Sequence, residues 1–224
     1  MRRIGGYFSV QEAENGDNYS LSISDLMSSL LIIFVLALSY FMLSYSQKTA
    51  VLVENEDKRL EILTLLEEKL KKQGIEVKVV KEMGILRLPE GILFDPGEAA
   101  IKASGLKAIS ILAPTLKEIL NNPRYKESIE TIFIEGHTDS DPIRSGKFPS
   151  NWELSAQRAI NTWQELSKVE PELEQLRNRN GQPFFSISGY ADRRPVAPND
   201  TPENKQQNRR IDVRITMIPP QKEK

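Results

Sequence analysis

Cysteine is absent from this 224-residue chain, and histidine occurs once, at position 137. The first absence excludes a disulfide framework, a cysteine-ligated zinc or iron–sulfur centre and a thiol nucleophile. It leaves the redox compartment open, because a cysteine-free chain is at ease in either environment. A single imidazole argues against a multi-histidine metal site or a Ser-His-Asp triad. Charge of one sign is lacking too: 30 Lys and Arg stand against 31 Asp and Glu, a formal net of −1. Any anion binding must therefore come from a local patch, and nothing points to nucleic acid. The composition is not typical of an enzyme, and the expectation is a non-enzymatic protein with no catalytic residues, no metal ligands and no bound cofactor.

What is present is strongly segregated along the chain. From Leu26 to Leu43 it reads LMSSLLIIFVLALSYFML, without a charged side chain. Extended back to Leu21, the stretch would make about 34 Å of helix, enough to cross the hydrocarbon core of a bilayer. Tyr19 and Tyr45 flank it where aromatic belts sit. A secretory signal fits less well, since the apolar run is too long and no A-x-A site follows it. Basic residues lie on both sides, so charge alone does not orient the span. Asp25 is the single carboxylate inside it. One reading makes Asp25 a helix cap at headgroup level; the other makes it a carrier of H+ or Na+, because a low-dielectric site favours the neutral acid. Ser28 and Ser29, one turn on, are expected to share its polar stripe.

Beyond the span, Leu60, Leu63, Leu66 and Leu70 fall on one side of a helix ending at Gly74. This predicts either a stalk that pairs in a dimer or a solvated connector. The remainder alternates between strand and helix patterns. Strands are expected at 75–80 and 85–94 with a turn at Met83-Gly84, at 129–135, at 184–188 and at 210–218. Helices are expected at about 104–120, bent or divided at Pro114, and through Trp152, Ala156, Ala159, Trp163 and Leu166. The fold class is thus α+β, a single N-terminal transmembrane helix and short helical stalk followed by an α/β sandwich. The boundaries are a tail over 1–18, the membrane helix over 19–45, the stalk over 46–73, the domain over 74–218 and a loose tail over 219–224.

Three motifs stand in order within that domain: EGHTDSDPIRSGKFPSNWELSAQRA from Glu135, GYADRRP from Gly189 and NRRIDVRI from Asn208. Together they resemble the OmpA-like peptidoglycan-binding domain, in the version found in MotB-type stator subunits. The segment SISDLMSSLLIIF resembles the membrane helix of the same proteins, in which one Asp carries the ion; Asp25 matches that position. The resemblance implies that Asp139 and Arg158 grip the diaminopimelate of a wall stem peptide, with Thr138, Asn151 and Leu154 as pocket neighbours. The chemistry is apt, since a zwitterion needs an anionic acceptor and a forked donor. Without the resemblance, an Asp139–Arg158 salt bridge organising the loop is the plainer reading. His137 reads as a loop-orienting side chain, Trp152 and Trp163 as core, and Arg209 and Arg210 as a surface basic pair, which the resemblance would also allow to meet glycan or an acidic stem peptide.

The resemblance further implies a homodimer within a pentamer of a MotA/ZorA-like membrane subunit, in a bacterial inner membrane. The N-terminus would be cytoplasmic and the domain periplasmic, facing peptidoglycan. Two departures from the flagellar pattern, the non-basic tail QEAENGDNYS and the wording SDLMSSLLIIF, tilt the expectation toward the Zorya anti-phage motor; a short stalk tilts it the same way. A flagellar stator and a passive wall tether are the alternatives.

Overall fold

The computed structural model describes residues 8–143 and 146–220, with side chains from residue 23 onward. The expectations for residues 1–7 and 221–224, and for the side chain of Tyr19, lie outside the described residues. The chain divides into two compact units, Met1–Val51 and Leu52–Lys224.

The first unit is helical. Helix α1 runs from Phe8 to Lys71 as one element. Its segment from Ile23 is long and apolar enough to cross a membrane, with a mean hydropathy of 2.4 in its most apolar window. Its apolar side chains are exposed, Leu26, Leu30, Phe34, Phe41 and Met42 among them. Ser28 and Ser29 stand three and four residues after Asp25 in the helix and so on the same side of it. Their hydroxyls donate to the backbone carbonyls of Ser24 and Asp25, at 2.7 and 2.9 Å, the usual way an isolated serine satisfies itself within an apolar helix.

The second unit contains a five-stranded sheet in the order β1-β2-β5-β3-β4. The strands are β1 (Lys78–Val80), β2 (Ile85–Pro89), β3 (Ile129–His137), β4 (Phe185–Gly189) and β5 (Arg210–Met217). All neighbours are antiparallel except β3 and β4, which are parallel and joined through a helix. The helices are α2 (Glu90–Leu93), α3 (Ala103–Asn121), α4 (Pro123–Lys126), α5 (Asn151–Val169) and α6 (Pro202–Asn208). Leu86, Leu88, Ile132, Ile134, Ile211, Val213 and Ile215 form the buried sheet face, against Ala108, Leu112, Leu116, Ala159 and Leu166 of α3 and α5. Period-2 alternation in the strands is what delivers one apolar face to the helices.

Three expectations shift in detail. The expected strand at 85–94 stops at Pro89, and Glu90 to Leu93 turn into helix α2. Pro114 divides nothing: α3 runs through it, with the proline exposed on the solvent side. Of the four leucines expected on one side, Leu60 is exposed, and the other three form neither a free stalk nor a solvated connector. Ile62, Leu63, Leu66 and Leu70 are completely buried in the domain core. Gly74, at φ +74°, ends that segment. The Ile75 amide bonds back to the Leu70 carbonyl and the Gly74 amide to that of Lys71, a Schellman cap whose partners Ile75 and Leu70 are both core residues.

Two glycines set the seat of α5. Gly136 of β3 and Gly189 of β4 are register partners. A Cβ at Gly136 would lie 2.0 Å from the Ser155 carbonyl oxygen, and one at Gly189 would lie 2.5 Å from the Ala156 amide. The paired glycines let the helix backbone touch the sheet, and so fix the height of every α5 side chain above it. The buried stripe of α5 is Leu154, Ser155, Arg158, Ala159, Thr162 and Leu166. Trp152 is therefore not core but 47% exposed, while Trp163 is partly buried and packs on Phe185 at 4.4 Å between ring centroids.

Candidate functional site

The C-terminal end of β3, the start of α5, α2 and the start of β5 converge on a cavity of about 350 Å³. Thr138, Asp139, Asn151, Leu154 and Arg158 all line it, so the five wall-peptide residues expected from sequence share one space. Glu90, Arg209, Pro96, Gly97, Asp141, Pro142 and Ile143 complete the lining. The volume lies at the small end of the range for ligand pockets, room for one polar residue rather than a long chain.

Each wall is held by its own local chemistry. Thr138 leaves β3 with its amide donating to the Ala191 carbonyl at 2.9 Å. Ala191 has φ 49°, a left-handed conformation costly for a residue with a Cβ, and its own amide donates to the Ser155 hydroxyl at 3.0 Å. The Asp139 carboxylate accepts from the Asp141 amide at 3.1 Å, turning the loop. Asn151 then clasps that loop, donating to the carbonyls of Asp139 and Asp141 at 3.2 and 2.8 Å. Helix α5 starts cleanly because the Ser150 hydroxyl accepts from the Trp152 amide at 3.1 Å. Asn151, Leu154 and Arg158 follow at helical spacing on the face toward the cavity. Asp141 is tied at the rim by Lys205, at 2.7 Å.

Asp139 and Arg158 do not pair with each other. Arg158 forms an ion pair with Glu90, donates from Nε to the Glu98 carbonyl at 2.8 Å, and lies 5.1 Å over the Phe94 ring. Arg209 bridges the two carboxylates, reaching Glu90 at 2.6 Å and Asp139 at 2.5 Å. The result is a chain of alternating charge, Arg158–Glu90–Arg209–Asp139, with no net charge. Arg158 is only 2% exposed. Burial pulls its pKa below the ordinary value even though Glu90 supports the charge. For Arg209, burial also opposes the charge, but the hydrogen bonds it donates to Asp139 and Glu90 outweigh it and the pKa is raised. Arg158 Nη2 is the nitrogen that meets Glu90, so an incoming carboxylate would have to take the place of that buried partner.

Glu90 escaped the sequence reading, which named Arg209 only as half of a basic pair. Arg209 and Arg210 are not a surface pair: Arg209 is a pocket wall, and Arg210 is 4% exposed. Arg210 donates to Asp212 at 3.0 Å and to the carbonyls of Asn208 and Arg194. The signal for Arg209 was its position one residue before a strand that pairs with β2, beside Glu90; their backbones are joined by a 3.0 Å hydrogen bond. His137 is buried and stacks on Tyr190 at 5.3 Å, but it is absent from the cavity lining. Asp25 belongs to the other unit, and among the described residues no ion pair or hydrogen bond engages its carboxylate.

Known proteins resemble the chain in sequence and in fold. Residues 93–209 match the OmpA family. Motility protein B of Bacillus subtilis is 32% identical over 168 residues, covering 75% of this chain but 58% of its own length. Zorya protein ZorB of Escherichia coli is 24% identical over 219 residues, covering 95% of this chain and 87% of that one. A solved MotB-like protein of Desulfovibrio vulgaris superposes with a TM-score of 0.59 at 22% identity, covering 74% of this chain and 98% of that structure, a likeness of fold. The family match takes in more than half of the chain, including every wall of the cavity except Glu90, and the relatives share the MotB type of domain: the chain belongs to the OmpA family, as a MotB-like protein.

Proposed function

We propose that the chain is the wall-anchored B subunit of a MotA/MotB-like ion-driven membrane motor. Its cavity grips a peptidoglycan stem peptide, and Asp25 carries the ion. The observation that carries the reading is the pairing in one chain of two features. One is an uncovered apolar helix bearing a lone carboxylate; the other is an OmpA domain whose cavity holds Arg158, Glu90, Arg209 and Asp139. The zwitterionic head of diaminopimelate suits that chain of charges by exchange of partners. Its carboxylate takes Arg158 in exchange for Glu90, and its ammonium takes Asp139 in exchange for Arg209.

In this reading two copies place their helices within a pentamer of a MotA/ZorA-like subunit, in the inner membrane with the domain in the periplasm. Protonated and charged Asp25 must favour different ring positions, since equal affinity for both would do no work. The correspondence in length with the Zorya protein, across both the apolar segment and the domain, supports anti-phage defence. The higher identity to a motility protein supports a flagellar stator as the second reading.

The test is flux of H+ and Na+ in membranes holding this chain with its A-type partner, for wild type and Asp25→Asn. Binding to isolated cell wall is measured alongside, with Arg158→Ala and Asp139→Ala. Flux abolished by Asp25→Asn, with wall binding lost only in the domain variants, is the expected outcome. Unchanged flux in Asp25→Asn would reduce the protein to a tether. Plaque counts and swimming assays in a strain lacking the gene separate defence from motility.

A further inference from the structure

The sheet face turned away from the helices carries a second cavity, of about 480 Å³, separate from the first in every lining residue. Strand alternation builds it. Arg87 of β2, Glu135 and His137 of β3, and Arg210, Asp212 and Arg214 of β5 stand as cross-strand partners: Arg87 and Glu135 opposite Asp212, and His137 opposite Arg210. Arg194, Pro195 and Val196 overhang them, and Met83 and Ile85 close the other side.

Three features of this cavity are unexplained by folding alone. First, its charge is unbalanced: four arginines face two carboxylates. Arg87 grips Asp212 with two bonds of 2.8 and 2.9 Å, Arg210 shares that carboxylate, and Arg214 holds Glu135. Both acids are thus fully engaged, and Arg194 has no acidic partner among the described residues. Second, Arg194 is exposed yet positioned, its guanidinium stacked 3.6 Å over the Tyr190 ring, whose plane also stacks on His137. Third, His137 is only 2% exposed, and neither ring nitrogen has a hydrogen-bond partner. Its nearest acid, Asp212, is 3.8 Å away, beyond hydrogen-bond range. A buried imidazole with two orphaned nitrogens beside uncompensated guanidinium is an unusual arrangement in a folded core.

We propose that this cavity is a second ligand site, for a small oxyanion of the phosphate or carboxylate type. The Arg194 fork meets it at the mouth, the outer nitrogens of Arg87 and Arg214 meet it within, and His137 lies at the floor. The charge surplus supplies the attraction, since each existing carboxylate already satisfies its own arginines. A neutral imidazole offers one N–H donor and one acceptor, which suits an anion that still carries a proton as well as a bridging water. The low rim of Met83, Ile85 and Val196 leaves the ligand's remainder against apolar surface.

Because His137 is the only histidine in the chain, one labelled imidazole reports on the site without ambiguity. The full-length, tag-free protein in detergent is labelled with 15N-histidine and titrated with inorganic phosphate and, separately, acetate, with chloride exchanged to hold ionic strength constant. The expected result is a saturable shift of the two ring nitrogens with at least one of the anions. Affinity should fall by roughly tenfold or more in Arg194→Gln, the loss of a charge-assisted contact, and stay as in wild type in Asp139→Asn. Response to phosphate but not acetate, or the reverse, identifies the source chemistry. Thermal unfolding of Arg194→Gln confirms that an exposed substitution has left the fold intact. Imidazole signals unmoved by either anion would overturn the proposal and leave a hydrated cavity. A shift that persists unchanged in Arg194→Gln would overturn it equally, as general screening.

Discussion

Substituting Gly136 by Ala tests whether the cavity beside Arg158 depends on how closely α5 sits on the sheet. The new methyl would lie 2.0 Å from the Ser155 carbonyl oxygen. An ordinary carbon–oxygen contact needs roughly 3.3 Å, so α5 or β3 must yield by about an ångström, at the 1–3 kcal/mol or more typical of overpacking. For a unit of this size that lowers the melting temperature by roughly 2–4 °C per kcal/mol, hence several degrees in all. Arg158 rides on the same helix, and its ion pair with Glu90 and hydrogen bond to Glu98 would stretch with it. Binding to isolated cell wall should therefore fall along with stability. Gly189→Ala pushes on the next residue of the same helix, at 2.5 Å from the Ala156 amide. Once α5 has been lifted by one methyl, the second finds the space already opened. The double variant should then cost clearly less than the two single losses added, the non-additivity expected of neighbours sharing one displacement. Thermal unfolding followed by circular dichroism, with a wall co-sedimentation assay, reads both effects. Gly136→Ala with wild-type stability and wall binding, or strictly additive losses, would refute the account of the paired glycines as the seat of the helix.

Other predictions concern the charge networks and the domain boundary. Glu90→Gln leaves Arg158 buried without a full counter-charge and should cost about 3–5 kcal/mol; adding Arg158→Met should recover part of that loss in urea unfolding while abolishing wall binding. His137 is held neutral by burial first and by Arg210 second, its pKa lowered from 6.5 to about 3. The unfolded chain therefore binds the proton that the folded chain excludes. Stability should fall as pH drops through 6.5 toward 3, by about 2 kcal/mol at pH 5, and His137→Gln should flatten that slope; an unchanged slope in the variant would refute the assignment. A chain starting at Ile75 lacks Ile62, Leu63, Leu66 and Leu70, each worth roughly 2 kcal/mol of burial. The sum is comparable to a whole domain's stability. That fragment should not give a cooperative melt, whereas one starting at Leu52 should.

Much of this architecture is legible in the residues, and the failures are local. Alternation in IETIFIE and RIDVRITMI finds β3 and β5 because one face of each must be apolar. It does not reveal that the polar face of β5 is itself covered, since Arg210 and Asp212 are buried by contacts from distant segments. The leucines of α1 announce a buried stripe, but periodicity names a face and not its partner; the same spacing serves a dimer seam or a domain core. On α5, counting from the tryptophans set the stripe off-centre. The backbone contact at Gly136 and Gly189, a feature without a side-chain signal, turns Ser155 and Arg158 inward instead. Glu90 hid in what reads as a strand, because a single helical turn has no period to detect. The five cavity residues were named through resemblance to a family, and their convergence needs the fold.

The burial of α1 also bears on how the unit meets a mechanical load. Force delivered through the chain at Leu52 enters a helix whose far end is locked by four core side chains and the cap at Gly74. Side-chain ties run from it to several other elements: Asn55 to the Ile218 carbonyl, Lys58 to Ser128, Arg124 to Glu61 and Lys69 to Glu118. Drawing such a helix along its axis strains all these contacts together, in shear, whereas a strand at a sheet edge yields one hydrogen bond at a time. Ties loaded together in this way favour failure at a single high threshold, as the proposed role of wall anchor would require.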